Sequence, residues 1–268
     1  MFNQLFKKIK NRLIGHKQLI DKYKAPETIF IYQMGKVGST TLEKSLPNAV
    51  HIHAFFTKNH TCPLRFRCQA KFGFSSFFYR AEQELLAYLL RRAFKQRKST
   101  KIITLVREPL ARNISMFFHD LDAYLFAAHT NCLNTRQVAL PTRDQQASVL
   151  MDVFEQEFDH NYVFNWFDNE LFSMTGINIY QFPFDIDKGF SQINYNNVEL
   201  ICLRTDKLKQ CIVPLSEFVG NSIVLSDSNQ AVSKWYGEIY QKFKTEYQPS
   251  AKWINRAKKS KFTQHFFS

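Results

Sequence analysis

The chain has 268 residues, of which 45% are hydrophobic and 22% charged, and its formal net charge is +13. This length and composition allow a large buried core, which excludes an intrinsically disordered chain, and no apolar run is long enough to span a bilayer. The charge calls for an anionic partner, such as nucleic acid, an acidic membrane surface or a strongly anionic small ligand.

Residues 1–24 have the pattern of a basic amphipathic arm. The apolar residues share one helical face, and lysines with one arginine cover the other sides. One interpretation is a helix that lies on an anionic membrane surface. The other is a terminal helix that packs on the domain and exposes a solvated basic face. The apolar residues are Phe2, Leu5, Phe6, Ile9 and Leu13.

The cellular location is predicted from what the N-terminus and the cysteines lack. The N-terminus has no apolar block with a small-residue cleavage site, and the five cysteines show no paired framework. We therefore expect a cytoplasmic protein in a reducing compartment, with peripheral contact at the inner membrane surface as one option through the arm.

Strand and helix patterns alternate along the rest of the chain, which predicts a parallel sheet covered on both faces. The expected class is α/β, a P-loop-like three-layer sandwich in which a mainly parallel sheet is flanked by helices, with residues 25–268 as one domain. The predicted strands are 28–33, 50–55, 101–106 and 198–204, and the predicted helices are 39–46, 81–98, 109–126 and 229–247.

The first predicted strand ends in a loop that reads Gly-Lys-Val-Gly-Ser-Thr-Thr. Gly35 and Gly38 allow the backbone close to a ligand, Lys36 adds a charge, and Ser39 and Thr40 add hydroxyl donors at the start of a helix. Such a loop predicts a phosphate or sulfate site. It is not a Walker A loop, since the lysine precedes the second glycine instead of following it.

A second anion site is predicted at the end of the third strand. Arg107 follows this strand, where ligands of open α/β sheets bind, and Arg112 and Ser115 share a face of the next helix. An arginine fork with a nearby hydroxyl suits a second phosphate group. Two anion sites at neighbouring strand ends call for a nucleoside that carries phosphates at both ends.

With these two motifs the sequence resembles the sulfotransferase superfamily, whose donor is 3′-phosphoadenosine-5′-phosphosulfate. The resemblance implies that the loop Gly35–Thr40, with Val37 in its middle, holds the 5′-phosphosulfate, and that Arg107 and Ser115 hold the 3′-phosphate. The tail strings SKWYGEIYQKFK and KSKFTQHFF resemble a bacterial subgroup described as capsular polysaccharide synthesis proteins. The implied acceptor is therefore a carbohydrate or glycolipid hydroxyl.

Sulfuryl transfer requires a base for the acceptor hydroxyl. His51 and His53 point to one face of the second strand, and histidine titrates near working pH. His53 is favoured because it is nearer the end of the strand, His51 is the second choice, and Glu43 is a weaker candidate expected to face solvent. Lys36 would stabilise charge on the leaving oxygen.

No metal is expected to be required, because a sulfuryl group carries less charge than a phosphoryl group. The His and Cys residues near the second strand lack zinc-knuckle spacing, and the string His119-Asp120-Leu121-Asp122 is interpreted as a helix surface. The residues considered for zinc are His51, His53, His60, Cys62 and Cys68.

The connection between residues 54 and 100 alternates cations with aromatic residues. It could form a groove for an acidic glycan, a nucleic-acid surface, or core phenylalanines with exposed charges. The residues in question are Arg65, Phe66, Arg67, Lys71, Phe72, Phe74, Tyr79 and Arg80.

Three function classes follow from these patterns. The first is the sulfotransferase, with no nucleic-acid partner. The second is a P-loop-like kinase that uses ATP and Mg²⁺, against which the position of the lysine and the lack of a Walker B strand argue. The third is a non-catalytic protein that binds nucleic acid or a membrane surface, which would leave the paired anion motifs without a role.

Overall fold

The computed structural model describes residues 2–46, 48–56, 77–125, 143–225 and 234–268. Five strands form its sheet: β1 (Ile29–Tyr32), β2 (Val50–Ile52), β3 (Thr100–Val106), β4 (Phe190–Tyr195) and β5 (Val198–Arg204). The helices before β4 are α1 (Phe2–Lys24), α2 (Ser39–Ser45), α3 (Phe77–Lys95), α4 (Pro109–His119), α5 (Arg143–Glu157), α6 (Tyr162–Trp166) and α7 (Ser173–Thr175), with a π-helical segment (Phe167–Phe172) between α6 and α7. The later helices are α8 (Ile212–Val219), α9 (Gly237–Glu246), α10 (Ala251–Lys259) and α11 (Lys261–Phe266).

The strands are ordered β2-β1-β3-β5-β4, and every pairing is parallel except β4 with β5. The predicted α/β class with a mainly parallel sheet flanked by helices is confirmed. The antiparallel edge strand was not predicted. It pairs with β5 through a tight turn at Asn196, which lies at a φ of 52°.

The centre of the sheet is apolar because the strands are covered on both faces. Most side chains of β1, β3 and β5 are buried, and the others are partly buried. A second cluster of buried aromatic residues joins α4, α5 and α9, and it includes Phe117, Phe118, Phe154, Tyr240 and Phe243. These two clusters account for many of the 27 phenylalanines.

Several element boundaries differ from the predictions, and α3 (Phe77–Lys95) both begins and ends earlier in the chain than the predicted helix 81–98. β2 ends at Ile52, because the backbone groups that follow it bond to side chains instead of a neighbouring strand. α4 ends at His119, where the N–H of Asp120 donates to the carbonyls of Met116 and Phe117, and the chain is helical again over residues 121–125, so the predicted helix 109–126 is interrupted at Asp120. The last predicted helix begins at Gly237, since a turn precedes it, with the Gly237 N–H donating to the Lys234 carbonyl at 2.8 Å.

The N-terminal helix packs along α3. The Arg12 guanidinium lies 2.7 Å from the Glu82 carboxylate, and Tyr23 is buried against the rings of Phe30 and Phe55. No helix in the described parts of the chain combines the length and hydropathy that crossing a bilayer requires.

Candidate functional site

The chain reverses direction across the sheet at β1. From β1 it continues through α2 to β2 on one side, while β3 lies on the other side of β1. In open α/β sheets ligands bind at such a switch point, beyond the carboxyl ends of the strands. The loop after β1 and the residues after β3 therefore meet where both anion motifs were predicted.

The loop after β1 has an uncommon backbone. Lys36 lies at a φ of 69° and Gly38 at 93°, on either side of the fully buried Val37. A Cβ on Gly38 would lie 2.9 Å from the Thr205 Cγ2 atom, so this position requires glycine for two reasons. A Cβ on Gly35 would meet only ordinary contacts. Positive φ at a lysine is a strained conformation of the kind that clusters at functional sites.

Side chains from other elements hold this loop. The Thr205 hydroxyl lies 2.5 Å from the Val37 carbonyl and 3.0 Å from the Val106 carbonyl, which ties the loop to the end of β3. Arg112 is buried and its Nε–H donates to the Gly35 carbonyl at 3.0 Å. Arg112 is thus a support beneath the loop, and not the cavity-facing partner of Ser115 that the sequence suggested.

A cavity of about 440 Å³ opens between these elements. Its volume lies within the range of roughly 300–1,000 Å³ that small-molecule sites occupy. Most of the residues predicted for the site line it, whereas Gly35 and Val37 do not. The lining residues are Lys36, Gly38, Ser39, Thr40, Thr41, Glu43, His51, His53, Arg107, Ser115, Phe118, His119, Lys234, Tyr236 and Tyr240.

The cavity is cationic. Lys36, Arg107 and Lys234 line it, against one carboxylate, Glu43. None of the three cations forms an ion pair with a carboxylate of the described residues. Burial, followed by the like charge of Lys234, lowers the pKa of Lys36 to about 8. Such an arrangement favours an anionic ligand, whose charge would relieve the repulsion.

The residue pair at the end of β2 has a defined orientation. The His53 Nδ1 atom lies 3.2 Å from the Gln33 carbonyl, which can only accept, so Nδ1 carries the proton of the neutral ring and Nε2 its lone pair. The His51 ring packs edge-on against His53 with centroids 4.2 Å apart, and the His51 Nδ1 atom contacts the Glu43 carboxylate. Glu43 therefore contacts His51 and lines the cavity, and its side chain is also 37% exposed, as expected for a residue that faces solvent.

His51 is less suited than His53 to accept a proton from a ligand. It is partly buried, and burial, followed by the neighbouring His53, lowers the pKa of His51 to about 4. The His53 side chain is exposed to the cavity. A general base needs a lone pair that the substrate can reach, so the geometry favours His53.

The position of His53 is set by the helix that carries the π-helical segment. The Trp166 Nε1–H donates to the His53 carbonyl at 2.9 Å. The fully buried Glu170 carboxylate accepts from the Phe55 N–H at 2.7 Å and from the Tyr32 hydroxyl at 2.6 Å. These bonds end β2 directly beside His53. A π-helix is rare and is frequently found at functional sites, but its formation could not be recognised from the pattern of the sequence.

His119 and Lys234 are cavity residues that the sequence analysis did not assign to the site. The His119 Nδ1 atom lies 3.4 Å from the Lys36 Nζ atom, and Asp120 beside it is buried; the charge of Asp120 offsets part of the lowering of the Lys36 pKa that burial and Lys234 cause. The interpretation of residues 119–122 as a helix surface was therefore wrong for Asp120 and Leu121, which are buried, whereas His119 and Asp122 are exposed. Lys234 lies in the Lys-Trp-Tyr string, which indicated the family resemblance but not a place in the site.

No group of three His, Cys, Asp or Glu side chains suited to a metal occurs in the described part of the chain. His60, Cys62, Cys68 and the cation-rich residues 65–74 lie outside the described residues, as do the side chains of Tyr79 and Arg80. The expectation that these residues hold no zinc stays a prediction, as do the three alternatives for the connection: a glycan groove, a nucleic-acid surface, or core phenylalanines with exposed charges.

Residues 142–268 match the sequence profile of a family described as "putative capsular polysaccharide synthesis protein". The match confirms the resemblance of the tail to this subgroup and points to a role in capsule synthesis. It covers just under half of the chain, including Lys234, Tyr236 and Tyr240, but not the loop after β1 or Arg107. No curated protein and no solved structure matches the chain.

Proposed function

We propose that the chain is a sulfotransferase that moves a sulfuryl group from 3′-phosphoadenosine-5′-phosphosulfate to a hydroxyl of a carbohydrate or glycolipid, in the synthesis of surface or capsular polysaccharide. The observation that carries this proposal is the cavity itself. It brings Lys36, Ser39 and Thr40 from the loop after β1 together with Arg107 and Ser115 after β3, and it has His53 on its wall.

The donor suits this cavity because it carries anionic groups at both ends of a nucleoside. Lys36 with the hydroxyls of Ser39 and Thr40 would hold the 5′-phosphosulfate, and Arg107 with Ser115 would hold the 3′-phosphate. Arg107 donates to the Lys36 carbonyl at 3.1 Å through Nη1, which links the two anion sites and leaves further N–H groups of the fork for the ligand.

His53 would act as the base. Its neutral ring has the lone pair on Nε2, which takes the proton of the acceptor hydroxyl while the acceptor oxygen forms a bond to sulfur. The bond between sulfur and the bridging oxygen breaks, and its electron pair stays on the 5′-phosphate of the departing 3′-phosphoadenosine-5′-phosphate. The sulfate ester and the bisphosphate are the two products.

Lys36 would stabilise the charge that develops on the bridging oxygen. Its pKa of about 8 keeps it mostly protonated at neutral pH, and an anion beside it raises this pKa. Lys234 adds a second positive charge to the same cavity. In this reaction the protein cations take the part that Mg²⁺ takes in phosphoryl transfer, and a divalent metal is not required.

The test is thermal unfolding of the protein with 3′-phosphoadenosine-5′-phosphate, with 5′-AMP, or with ATP and Mg²⁺. The first two ligands are measured both with and without EDTA. A ligand at 100 times its dissociation constant adds about 2.7 kcal/mol to the free energy of unfolding. We expect the bisphosphate to stabilise the protein, EDTA to leave this shift unchanged, and 5′-AMP to have a much smaller effect.

A matched pair of variants connects the shift to the cavity. Lys36→Met should remove most of the shift, whereas Lys252→Met, which changes an exposed lysine of α10, should keep it. Stabilisation by ATP with Mg²⁺ instead of the bisphosphate would favour a kinase. The absence of any shift would overturn the assignment of the cavity as a nucleotide site.

The acceptor is tested separately, by transfer of ³⁵S from labelled donor to polysaccharide and to lipid-linked glycan fractions of an encapsulated bacterium. We expect label in one of these fractions with the wild-type protein. Nucleotide binding without transfer to either fraction would keep the donor site and reject the glycan acceptor.

A further inference from the structure

The outer sides of α1 and α3, two helices that pack against each other, combine exposed apolar residues with cations. α1 is held against α3 by Arg12 and His16, whose side chains lie 2.7 and 3.6 Å from the Glu82 carboxylate. Near its end Tyr23 enters the core. These contacts define which sides of α1 are used for packing and which face outward.

On α1, Lys10, Leu13, Lys17 and Lys24 are spaced by three, four and seven residues, so they form one stripe along the helix. The three lysines are exposed, and the Leu13 side chain is 60% exposed. Ile14, beside this stripe, is 45% exposed. An apolar residue within a row of lysines is thus presented to the solvent.

α3 repeats this arrangement. Leu85, Tyr88, Arg92 and Lys95 follow one another at spacings of three, four and three residues. Leu85 is 58% and Tyr88 is 52% exposed, and the two cations are exposed as well. Two contacting helices therefore both carry large apolar side chains in water with cations on the same stripe.

We propose that this surface, made of Leu13, Ile14, Leu85 and Tyr88 with Lys10, Lys17, Lys24, Arg92 and Lys95, docks on a bilayer with anionic headgroups. We call it the α1–α3 surface. The proposal is independent of the reaction proposed above. It differs from the arm that the sequence suggested, because one side of α1 is used in packing and α3 supplies half of the apolar contacts.

Charge complementarity is the reason for choosing an anionic lipid surface. Within α1 seven residues are Lys or Arg and one, Asp21, is acidic. Lysines at a membrane surface gain from anionic lipids, and their long stems let apolar neighbours sink to the boundary of the acyl chains. Nucleic acid would use the same charges, but it offers the exposed leucines and isoleucine no apolar phase.

Vesicle flotation tests the proposal with the full chain. We expect at least tenfold stronger binding to vesicles of phosphatidylcholine with 30% phosphatidylglycerol than to phosphatidylcholine alone. The variant Leu13→Ser/Leu85→Ser/Tyr88→Ser should bind the anionic vesicles about tenfold more weakly than the wild type. The variant Lys10→Gln/Lys17→Gln/Lys24→Gln should be weakened by a similar factor. A control, Val213→Ser/Lys252→Gln/Lys259→Gln, changes exposed residues of α8 and α10 and should bind like the wild type.

A second measurement guards against a variant that does not fold. Leu13→Trp adds a fluorophore to the surface, and its emission, taken as the difference from wild type, should shift to shorter wavelength with the anionic vesicles only. Three outcomes overturn the proposal: no preference for phosphatidylglycerol, full binding by the variant without the apolar side chains, or binding to poly(U) RNA with no binding to vesicles.

Discussion

The cations at the two ends of the parallel strands differ in their hydrogen-bond partners. At the amino end Arg97 is buried, and its donors are used by oxygen atoms of the protein itself. The acceptors are the carbonyls of Tyr23, Ala25, Pro26 and Thr28 and the hydroxyl of Thr100. This arginine closes the junction between α1, β1 and β3, so its role is structural.

At the carboxyl end Lys36, Arg107 and Lys234 lie together on a cavity wall, and none forms an ion pair with a carboxylate of the described residues. Burial and mutual repulsion lower the pKa of Lys36. The comparison teaches that residue type alone does not distinguish a binding cation from a structural one. The two kinds of cation differ in whether the oxygen atoms that they bind belong to the protein or to a ligand.

The largest effect is expected at the carboxyl end, from His53→Ala. Turnover should fall by roughly 10² to 10⁴, because the proton of the acceptor has no base, while the affinity for 3′-phosphoadenosine-5′-phosphate is retained. Transfer of ³⁵S and titration calorimetry measure the two quantities. His16→Gln is the control, since this histidine contacts Glu82 at the other end of the molecule. Wild-type turnover in His53→Ala would move the base to His51 or Glu43.

The reverse behaviour is expected at the amino end, from Arg97→Met. The variant keeps an unbranched side chain but leaves several buried carbonyls without donors, so the free energy of unfolding should fall by about 3 to 5 kcal/mol. Denaturant unfolding measures this change. The affinity of the folded protein for the bisphosphate should stay within a factor of two, and a large loss of affinity would contradict the division of roles between the two ends.

Arg107→Ala sharpens the same comparison from the other side. It removes an arginine that faces the cavity, so the binding free energy of the bisphosphate should become less favourable by about 2 to 4 kcal/mol. The free energy of unfolding of the ligand-free protein should change little. Titration calorimetry measures the affinity. Arg256→Ala, an exposed arginine of α10, serves as the control. Unchanged affinity in Arg107→Ala would reject the 3′-phosphate assignment.

Local patterns were sufficient to predict the parts of the fold that are continuous in sequence. The apolar runs of β1, β3 and β5 were recognised because both faces of a parallel sheet are covered. Gly35, Lys36 and Gly38 were recognised because they lie close together in the sequence, in a short loop between a predicted strand and a predicted helix. The antiparallel β4, with its alternating exposed residues, gave a weaker signal next to a run of irregular turns.

What could not be predicted depends on contacts between distant residues. Thr205 holds the loop 168 positions away, and Glu170 bonds to Phe55 from 115 positions away. Likewise His119 is a site residue only because α4 carries it to Lys36. Each of these residue types is common on surfaces and in turns, so only the tertiary arrangement separates them from such positions.

The last prediction uses the titration of Lys36 to test whether the anionic partner of this cation is a bound ligand or a group of the protein. In the ligand-free protein its pKa is about 8, and the bound bisphosphate should raise this value. Above pH 8 the free protein has lost the proton that the complex retains, so binding takes up a proton and the affinity should fall by up to tenfold, about 1.4 kcal/mol, for each pH unit.

Titration calorimetry between pH 7 and 9.5 measures this dependence. The ligand phosphates are fully ionised there, since their second pKa is about 6, and ordinary lysines titrate near 10.4. Lys36→Arg keeps the charge but does not titrate in this range, so its affinity should stay level where that of the wild type falls. Lys252→Arg, on the exposed face of α10, should follow the wild-type curve. Parallel slopes for Lys36→Arg and wild type would mean that another group binds the proton, and would separate Lys36 from the 5′ anion site.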